Sequence, residues 1–387
     1  MAKLNMKLSI NDNFCDLCLS KLQNPYKPIN TKRYMLTFQC QNCLLIQSIP
    51  QKKYKSNPPP SMSFDADRAS IMYTKVLVLP KYIKLFKKFK INFSRMRHVL
   101  DIGSNRGDFT KFILGKNKFV EVSALESKKI LFDKYKKKKR VEYFHSRYEK
   151  FNTNKRFDFI YNIHTLEHFV SCLTSLKKMK LQLKKSGMIF LAVPNVNPKD
   201  QSFFEEIFID PHTYHFTNNV MIKYFNLVGF KILKKNIKGN ELQYLLIKDN
   251  NPKNNKHKNK FKSFFDKKNS LSIYKKQILV NREKLKIKTN EIKALLKKGH
   301  KIVFWGAGRI FDGLVSIGGI DPSNNIRLVD KILYKFFNKL HDFKLIKPSD
   351  LNFSEKKSIL VVCSREYKME IIKEAKKFKF KKIIKVA

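Results

Sequence analysis

Long apolar runs are missing from this 387-residue chain. No stretch reaches the roughly 18–20 consecutive apolar residues that a membrane-crossing helix needs. The first ten residues carry lysines but no uninterrupted apolar segment, so no secretory signal is expected and the chain reads as cytoplasmic. Glycine is scarce, with 12 residues against 33 Phe, which argues against a fibrous or low-complexity protein. Acidic residues are few as well: 31 Asp and Glu face 81 Lys and Arg, for a formal net charge of +50. Arginine makes up only about a dozen of these, and the lysines are spread along the whole chain. A dedicated nucleic-acid surface would favour arginine, whose planar fork makes bidentate contacts. The excess is therefore read first as a compositional bias, with RNA binding as the alternative. Either way the surface field draws anions, phosphate-bearing small molecules among them.

The chain is rich in core material. With 43% apolar and 13% aromatic residues it can bury real cores, which excludes general disorder. At about 100–200 residues per domain, the length holds two or three domains.

Six cysteines occur, four of them as two pairs, Cys15-Asp-Leu-Cys18 and Cys40-Gln-Asn-Cys43. Each C-x-x-C turn lets two thiolates reach one ion, and two such turns complete a tetrahedral site. Twenty-one residues lie between Cys18 and Cys40, close to the usual spacing. A disulfide framework does not suit a long chain without a signal sequence. A thioredoxin-like redox site would need one such pair inside a βαβ pattern. Structural Zn2+ held by Cys15, Cys18, Cys40 and Cys43 is the expectation. Cys172 and Cys363 stand in apolar surroundings and are read as packing residues. The stretch 51–63, with Pro58-Pro59-Pro60, reads as a linker. Residues 66–89 read as a helical stretch interrupted or re-aimed at Pro80.

The clearest chemistry begins at His98-Val99-Leu100-Asp101-Ile102-Gly103-Ser104-Asn105-Arg106-Gly107. A short strand ends in Asp101, a glycine turn follows, and a helix opens at Asp108. That context lets a ligand approach backbone at a helix N-terminus. The dinucleotide fingerprint G-x-G-x-x-G is not met, because Asp101 takes the first glycine place and the next pair is G-x-x-x-G. A second strand, Val120–Leu125, ends in Glu126, where a carboxylate can accept both hydroxyls of a ribose. Further on come a strand at Phe157–Tyr161, then Thr165-Leu166-Glu167-His168, a helix over Cys172–Leu183, Lys185-Ser186-Gly187, a strand at Met188–Val193 and Pro194-Asn195.

Asp-x-Gly-x-x-x-Gly, an acid ending the next strand, and "Leu-Glu-His, helix, Lys-x-Gly, strand, Val-Pro-Asn" together resemble class I methyltransferases that use S-adenosylmethionine. The resemblance covers roughly residues 65–250. It implies that Asp101, Gly103, Ser104, Asn105 and Gly107 hold the methionine end of the cofactor and that Glu126 holds the ribose. Asn162 and His164 would line the pocket. The family often places an acid after its third strand to read the adenine amine; here Tyr143-Phe144-His145-Ser146 leaves Ser146 as the candidate. Glu167 and His168 are read as orienting the loop and the following helix.

Downstream, Asp210-Pro211-His212-Thr213-Tyr214-His215-Phe216-Thr217 precedes a helix that Thr217 can cap and that ends at Gly229. Imidazoles titrate near neutrality, so His212, and after it Tyr214 and His215, are candidates for proton transfer to or from the methyl acceptor. The layout as a whole resembles the sugar C-methyltransferases. These combine a four-Cys zinc domain, a methyltransferase domain and a C-terminal Rossmann-like domain, and act on nucleotide-linked sugars. Cys40-Gln-Asn-Cys43-Leu-Leu-Ile-Gln47 resembles that family's second knuckle, and His212 falls on its catalytic His. The family has Glu before that His, where this chain has Pro211, and the Leu-Glu-His block is more typical of other methyltransferases. The atom that receives the methyl group, C, O or N, is left open.

Beyond a Lys/Asn-rich linker over 249–270, helical spacing runs over Ser270–Lys298 and stops at Gly299. A strand at Lys301–Trp305, Gly306-Ala307-Gly308, a helix, a strand at Ile326–Asp330 and another at Ser358–Val362 give a second α/β alternation. Gly313 comes too late for the dinucleotide fingerprint. The expected architecture is therefore α/β. A class I methyltransferase Rossmann-like domain (64–250) is flanked by an N-terminal zinc-binding module (1–60) and a C-terminal Rossmann-like domain (270–387). The expected activity is methyl transfer from S-adenosylmethionine to a sugar, a nucleotide-linked deoxysugar on its way to a surface glycan or secondary metabolite. The alternatives are an RNA or other small-molecule O- or N-methyltransferase, or a scaffold that has lost activity.

Overall fold

Each cysteine pair sits on a tight turn because the residue after it takes a left-handed backbone: Leu19 (φ 59°) and Leu44 (φ 68°). Between and after these turns the chain forms β1 (Met35–Gln39) and β2 (Ile46–Pro50), paired antiparallel with Phe38 opposite Gln47. The computed structural model describes residues 13–28, 35–50, 78–128, 139–196, 208, 212–238, 241–249, 263–351, 357–364 and 367–386. The expected linker at 51–63, residues 66–77 of the expected helical stretch, residues 209–211, and 250–262 of the second linker lie outside these. The described residues fall into two compact units, the first ending at Leu271 and the second starting at Ser272.

Helix α1 (Val78–Lys88) contains Pro80. Then come β3 (His98–Ile102), α2 (Asp108–Lys116), β4 (Glu121–Glu126), β5 (Val141–His145), β6 (Phe157–Ile163), α3 (Cys172–Gln182) and β7 (Leu183–Pro194). β7 starts at Leu183 and runs through Lys185-Ser186-Gly187, ahead of the strand expected from Met188. Ser171 caps α3 by accepting from the Thr174 amide. The first unit closes with β8 (Tyr214–His215), α4 (Asn218–Val228), β9 (Phe230–Lys238) and β10 (Glu241–Lys248). Thr217 caps α4 and Gly229 (φ 79°) ends it, both as the sequence predicts.

The main sheet has the order β5-β4-β3-β6-β7-β10-β9. β5, β4, β3, β6 and β7 run parallel, and β10 and β9 are antiparallel additions. The central strands are buried on both faces, which is why Val99-Leu100 and Phe159-Ile160 read as continuous apolar runs. One face packs on Tyr82, Phe86 and Phe109 of α1 and α2, and the other on Leu176, Met179 and Tyr224 of α3 and α4. The chain leaves β3 toward β4 and β5 and returns to β6 on the other side. The order of strands therefore reverses between β3 and β6, the place where open α/β sheets bind ligands. The small sheet joins this unit through β8, which pairs with β2.

The second unit starts within α5 (Ser270–Lys297). It contains β11 (Ile302–Trp305), α6 (Arg309–Ser316), β12 (Ile326–Val329), β13 (Lys339–Leu340), β14 (Phe343–Ile346), β15 (Ile359–Val362), α7 (Lys368–Ala375) and β16 (Lys382–Lys385). Its sheet order is β13-β14-β12-β11-β15-β16, parallel apart from β13. Among the described residues no helix is long and apolar enough to cross a membrane.

Candidate active site

The turn after β3 lies at the strand-order reversal. Gly103 (φ 79°), Asn105 (φ 48°) and Gly107 (φ 71°) all take left-handed backbone, which folds the chain tightly between β3 and α2. The amides of Gly103 and Ser104 donate to the Leu125 carbonyl at 3.0 and 2.8 Å. This bonding brings the turn against the end of β4, where Glu126 Oε2 accepts the Asn105 amide at 2.8 Å and Oε1 accepts the Lys128 amide at 2.9 Å. The Ser146 amide donates to the Glu126 carbonyl at 3.2 Å, and its hydroxyl donates to the Arg147 carbonyl at 3.0 Å. Asp101 lies beneath the turn, 2% exposed, and accepts the Thr110 hydroxyl of α2 at 2.6 Å. Burial pushes its carboxyl up to about 7, against the hydrogen bonds of Thr110 and Tyr161.

The loop after β6 meets that turn. A Cβ at Gly103 would stand 2.2 Å from Thr165 Oγ1, so only glycine lets the two loops touch. Asn162 is fully buried; its Oδ1 accepts the Leu166 amide at 3.0 Å, and its Nδ2 has no hydrogen-bond partner. His164 (φ 49°) bridges two carboxylates, with Nε2 2.6 Å from Glu241 Oε1 and Nδ1 3.6 Å from Glu167 Oε1. Glu241 also meets Lys81 Nζ at 2.6 Å and accepts from Tyr82 and Gln243. Burial alone would raise the Glu241 carboxyl, but His164, Lys81 and Tyr82 outweigh it and hold the group at about 2.

The acceptor-side candidates divide. The Thr213 amide and hydroxyl both donate to the Glu167 carbonyl, at 2.9 and 3.0 Å, and lay His212 beside the loop. The His212 and His168 rings are 4.8 Å apart, and the ligand atoms of Glu167, His168 and His212 all lie within 4.8 Å of one another. Glu167 is 1% exposed; burial would raise its carboxyl, yet His164, His168 and His212 facing it hold it below the ordinary value. Tyr214 and His215 face elsewhere. The Tyr214 hydroxyl donates to the Val170 carbonyl at 2.8 Å. His215 Nε2 bonds Ser48 Oγ of β2 at 2.8 Å, and burial, with the nearby His212, holds its imidazole well below the ordinary histidine range.

Residues 73–235 match a family model described as a methyltransferase domain. By this match the stretch is a methyltransferase domain. No curated protein matches the chain. Solved structures resemble it. An S-adenosylmethionine-dependent methyltransferase from Clostridium acetobutylicum is 15% identical over 43% of this chain and 89% of its own, with a TM-score of 0.34. One from Mesorhizobium loti is 10% identical over 42% and 95%, with a TM-score of 0.36. An O-methyltransferase from a Brevibacillus brevis multienzyme, in complex with S-adenosyl-L-homocysteine, is 14% identical over 46% and 79%, with a TM-score of 0.36.

Against the methyltransferase domain lies the four-cysteine cluster. Cys15 and Cys43 Sγ are 3.3 Å apart and Cys18 and Cys40 Sγ 3.4 Å, too far for disulfides, and the ligand atoms of all four lie within 4.8 Å of one another. Both knuckles share one design: the Leu19 and Leu44 amides each return to the first Cys carbonyl at 2.9 Å. Hydrogen bonds from neighbouring thiols pull Cys40 well below the usual thiol range, while bonding to Cys40 and Cys43, together with burial, pushes Cys15 up. This donor set suits Zn2+. Gln47 ties the knuckles together, taking the Asp16 amide at 3.0 Å and donating to the Phe14 carbonyl at 2.9 Å. Asp16 then anchors the cluster to the methyltransferase domain through Ser171 Oγ (2.5 Å), the Leu173 amide (3.0 Å) and Tyr224 OH (2.8 Å).

Three groups at this site were not legible in the sequence. Thr165 carries no signal beyond its place before Leu-Glu-His. Lys81, Tyr82 and Glu241 come from opposite ends of the domain, and no spacing links them. Glu167, His168 and His212 meet only because Thr213 pairs with the Glu167 backbone.

Proposed function

We propose that this methyltransferase domain moves a methyl group from S-adenosylmethionine to a sugar carried on a nucleoside diphosphate. The observation that carries the reading is Glu126, held at the glycine turn with both carboxylate oxygens facing backbone amides and buried beside the strand-order reversal. When bound, S-adenosylmethionine supplies an electrophilic methyl carbon on a sulfonium. The residues present fit it: Glu126 stands at the turn as a carboxylate acceptor, and Asn162 Nδ2 is a buried donor with no partner. Glu126 accepts the two ribose hydroxyls. Asp101, Gly103, Ser104, Asn105 and Gly107 form the methionine end. Ser146 is assigned to the adenine edge, and Asn162 and His164 to the wall.

On the acceptor side, His212 beside His168 and Glu167 is the group assigned to the acceptor's proton. Tyr214 and His215, tied to Val170 and Ser48, are not assigned to it. The sugar reading draws on the order of the four-cysteine cluster, the methyltransferase domain and the second α/β unit, and on a formal net charge of +50 that attracts a diphosphate. The second unit repeats the acid-on-turn device, Asp330 Oδ2 accepting the Ala307 amide at 3.0 Å.

The test is mass spectrometry of a panel of nucleotide-sugars incubated with the full chain and methyl-labelled S-adenosylmethionine. Label in a sugar supports the reading. Label only in added RNA, or a donor site that stays empty at millimolar S-adenosylmethionine, overturns it.

A further inference from the structure

We infer that Glu167, His168 and His212 bind a first-row divalent cation, and that this cation holds an oxygen of the methyl acceptor. The inference rests on the methyltransferase reading above and gives its acceptor side a chemistry.

The ligand atoms already lie within 4.8 Å of one another. With metal–ligand bonds of about 2.0–2.2 Å, ligands at adjacent corners stand roughly 3–3.5 Å apart, so small side-chain rotations close the site. The Glu167 carboxylate is 1% exposed, yet neither oxygen has a hydrogen-bond partner; the facing nitrogens, His164 Nδ1 and His168 Nε2, stand 3.6 and 4.0 Å away. A buried carboxylate without hydrogen bonds is costly unless a cation takes its charge. The surroundings fit a metal centre as well. His164, fixed on its far side by Glu241, stands where an outer-layer group orients a ligating carboxylate. Thr213 clamps the His212 segment to Glu167 through two hydrogen bonds to one carbonyl. His168 and His212 are half-buried, so one side of the site opens outward. Three protein ligands with an open side are the pattern of centres that take substrate on the metal, and two imidazoles with one carboxylate suit zinc, iron, cobalt or manganese.

The loop bearing these residues touches the glycine turn through Thr165 and Gly103, which puts the cation on the same edge of the sheet as the methyl donor. A sugar hydroxyl bound to the cation becomes more acidic and releases its proton to water. Its oxygen lone pair then forms the bond to the sulfonium methyl carbon, while the electron pair of the breaking C–S bond stays on sulfur as the thioether. In this arrangement His212 serves as a ligand in place of the proton-accepting role assigned to it above, and the acceptor atom is oxygen.

The test titrates full-length protein, first loaded with one equivalent of Zn2+ to fill the cysteine cluster, with Co2+ and separately with Mn2+. Binding of S-adenosyl-L-homocysteine is measured by calorimetry on the same samples. The expected result is one further equivalent of cation, without the sulfur-to-cobalt charge-transfer band that thiolate ligation would add. Affinity should fall at least tenfold in His168→Ala, His212→Ala and Glu167→Gln, and should not change in His300→Ala. A variant counts only if its thermal transition matches the parent, and any one of the three suffices. No further equivalent below millimolar cation, a thiolate band alone, or equal affinity in folded variants overturns the inference. Cation binding lost with S-adenosyl-L-homocysteine binding retained leaves the methyltransferase reading standing; the reverse result defeats that reading alone.

Discussion

Glu126 and Asn105 meet through a 2.8 Å hydrogen bond from the Asn105 amide to Glu126 Oε2, across 21 residues of sequence. The bond couples the acid at the end of β4 to the backbone of the glycine turn, so one residue both shapes the turn and presents its remaining lone pairs to a ligand.

Replacing Glu126 therefore removes a charged acceptor from a nucleoside diol. Hydrogen bonds to charged groups contribute about 1.5–3 kcal/mol, so Glu126→Ala should weaken S-adenosylmethionine binding roughly 10- to 100-fold. Calorimetry checks this, and unchanged affinity would remove Glu126 from the site.

Gly103→Ala meets two obstacles: a left-handed φ of 79° and a Thr165 Oγ1 at 2.2 Å from the new Cβ. The backbone penalty alone is about 1–2 kcal/mol, and the clash adds to it. Denaturant unfolding should show that loss together with weaker donor binding. Adding Thr165→Ala should restore part of the stability, since it removes Oγ1 and Cγ2 but leaves Cβ at 3.0 Å. If the double variant is no better than the single one, the contact does not limit the turn.

Asp101 gives a pH signature. Its carboxyl rises from 3.8 to about 7 on folding, so the folded chain holds the proton more tightly than the unfolded chain. The resulting stability is present in full below about pH 4 and is lost as pH climbs to 7. The swing is on the order of 4 kcal/mol. Asp101→Asn, neutral throughout, should flatten the difference between unfolding curves at pH 4.5 and 7.5. Parallel pH profiles for parent and variant would contradict the assignment.

For the cysteine cluster, Cys40→Ser should abolish one tightly held equivalent of zinc and lower the thermal midpoint by several degrees, because β2 carries the cluster's order into β8. Cys172→Ala, outside the cluster, should keep its zinc. Metal analysis after dialysis reads both. Equal zinc in the two variants would show that the four thiols do not form the site.

The sequence by itself determined the strands and their punctuation. Val99-Leu100, Phe159-Ile160 and Ile302–Trp305 are short apolar runs that, followed by turn residues or a helix start, read as buried strands. Thr217 and Gly229 mark the ends of α4, and C-x-x-C twice within a short span predicts the tetrahedral cluster, because each of these signals is local. Tertiary structure alone decided which distant groups meet. His164 came to lie between Glu241 and Glu167, Tyr214 and His215 turned toward Val170 and Ser48, and His212 joined Glu167 and His168. Those meetings depend on strand order and on backbone pairings such as Thr213 with Glu167, which the composition of no single segment encodes.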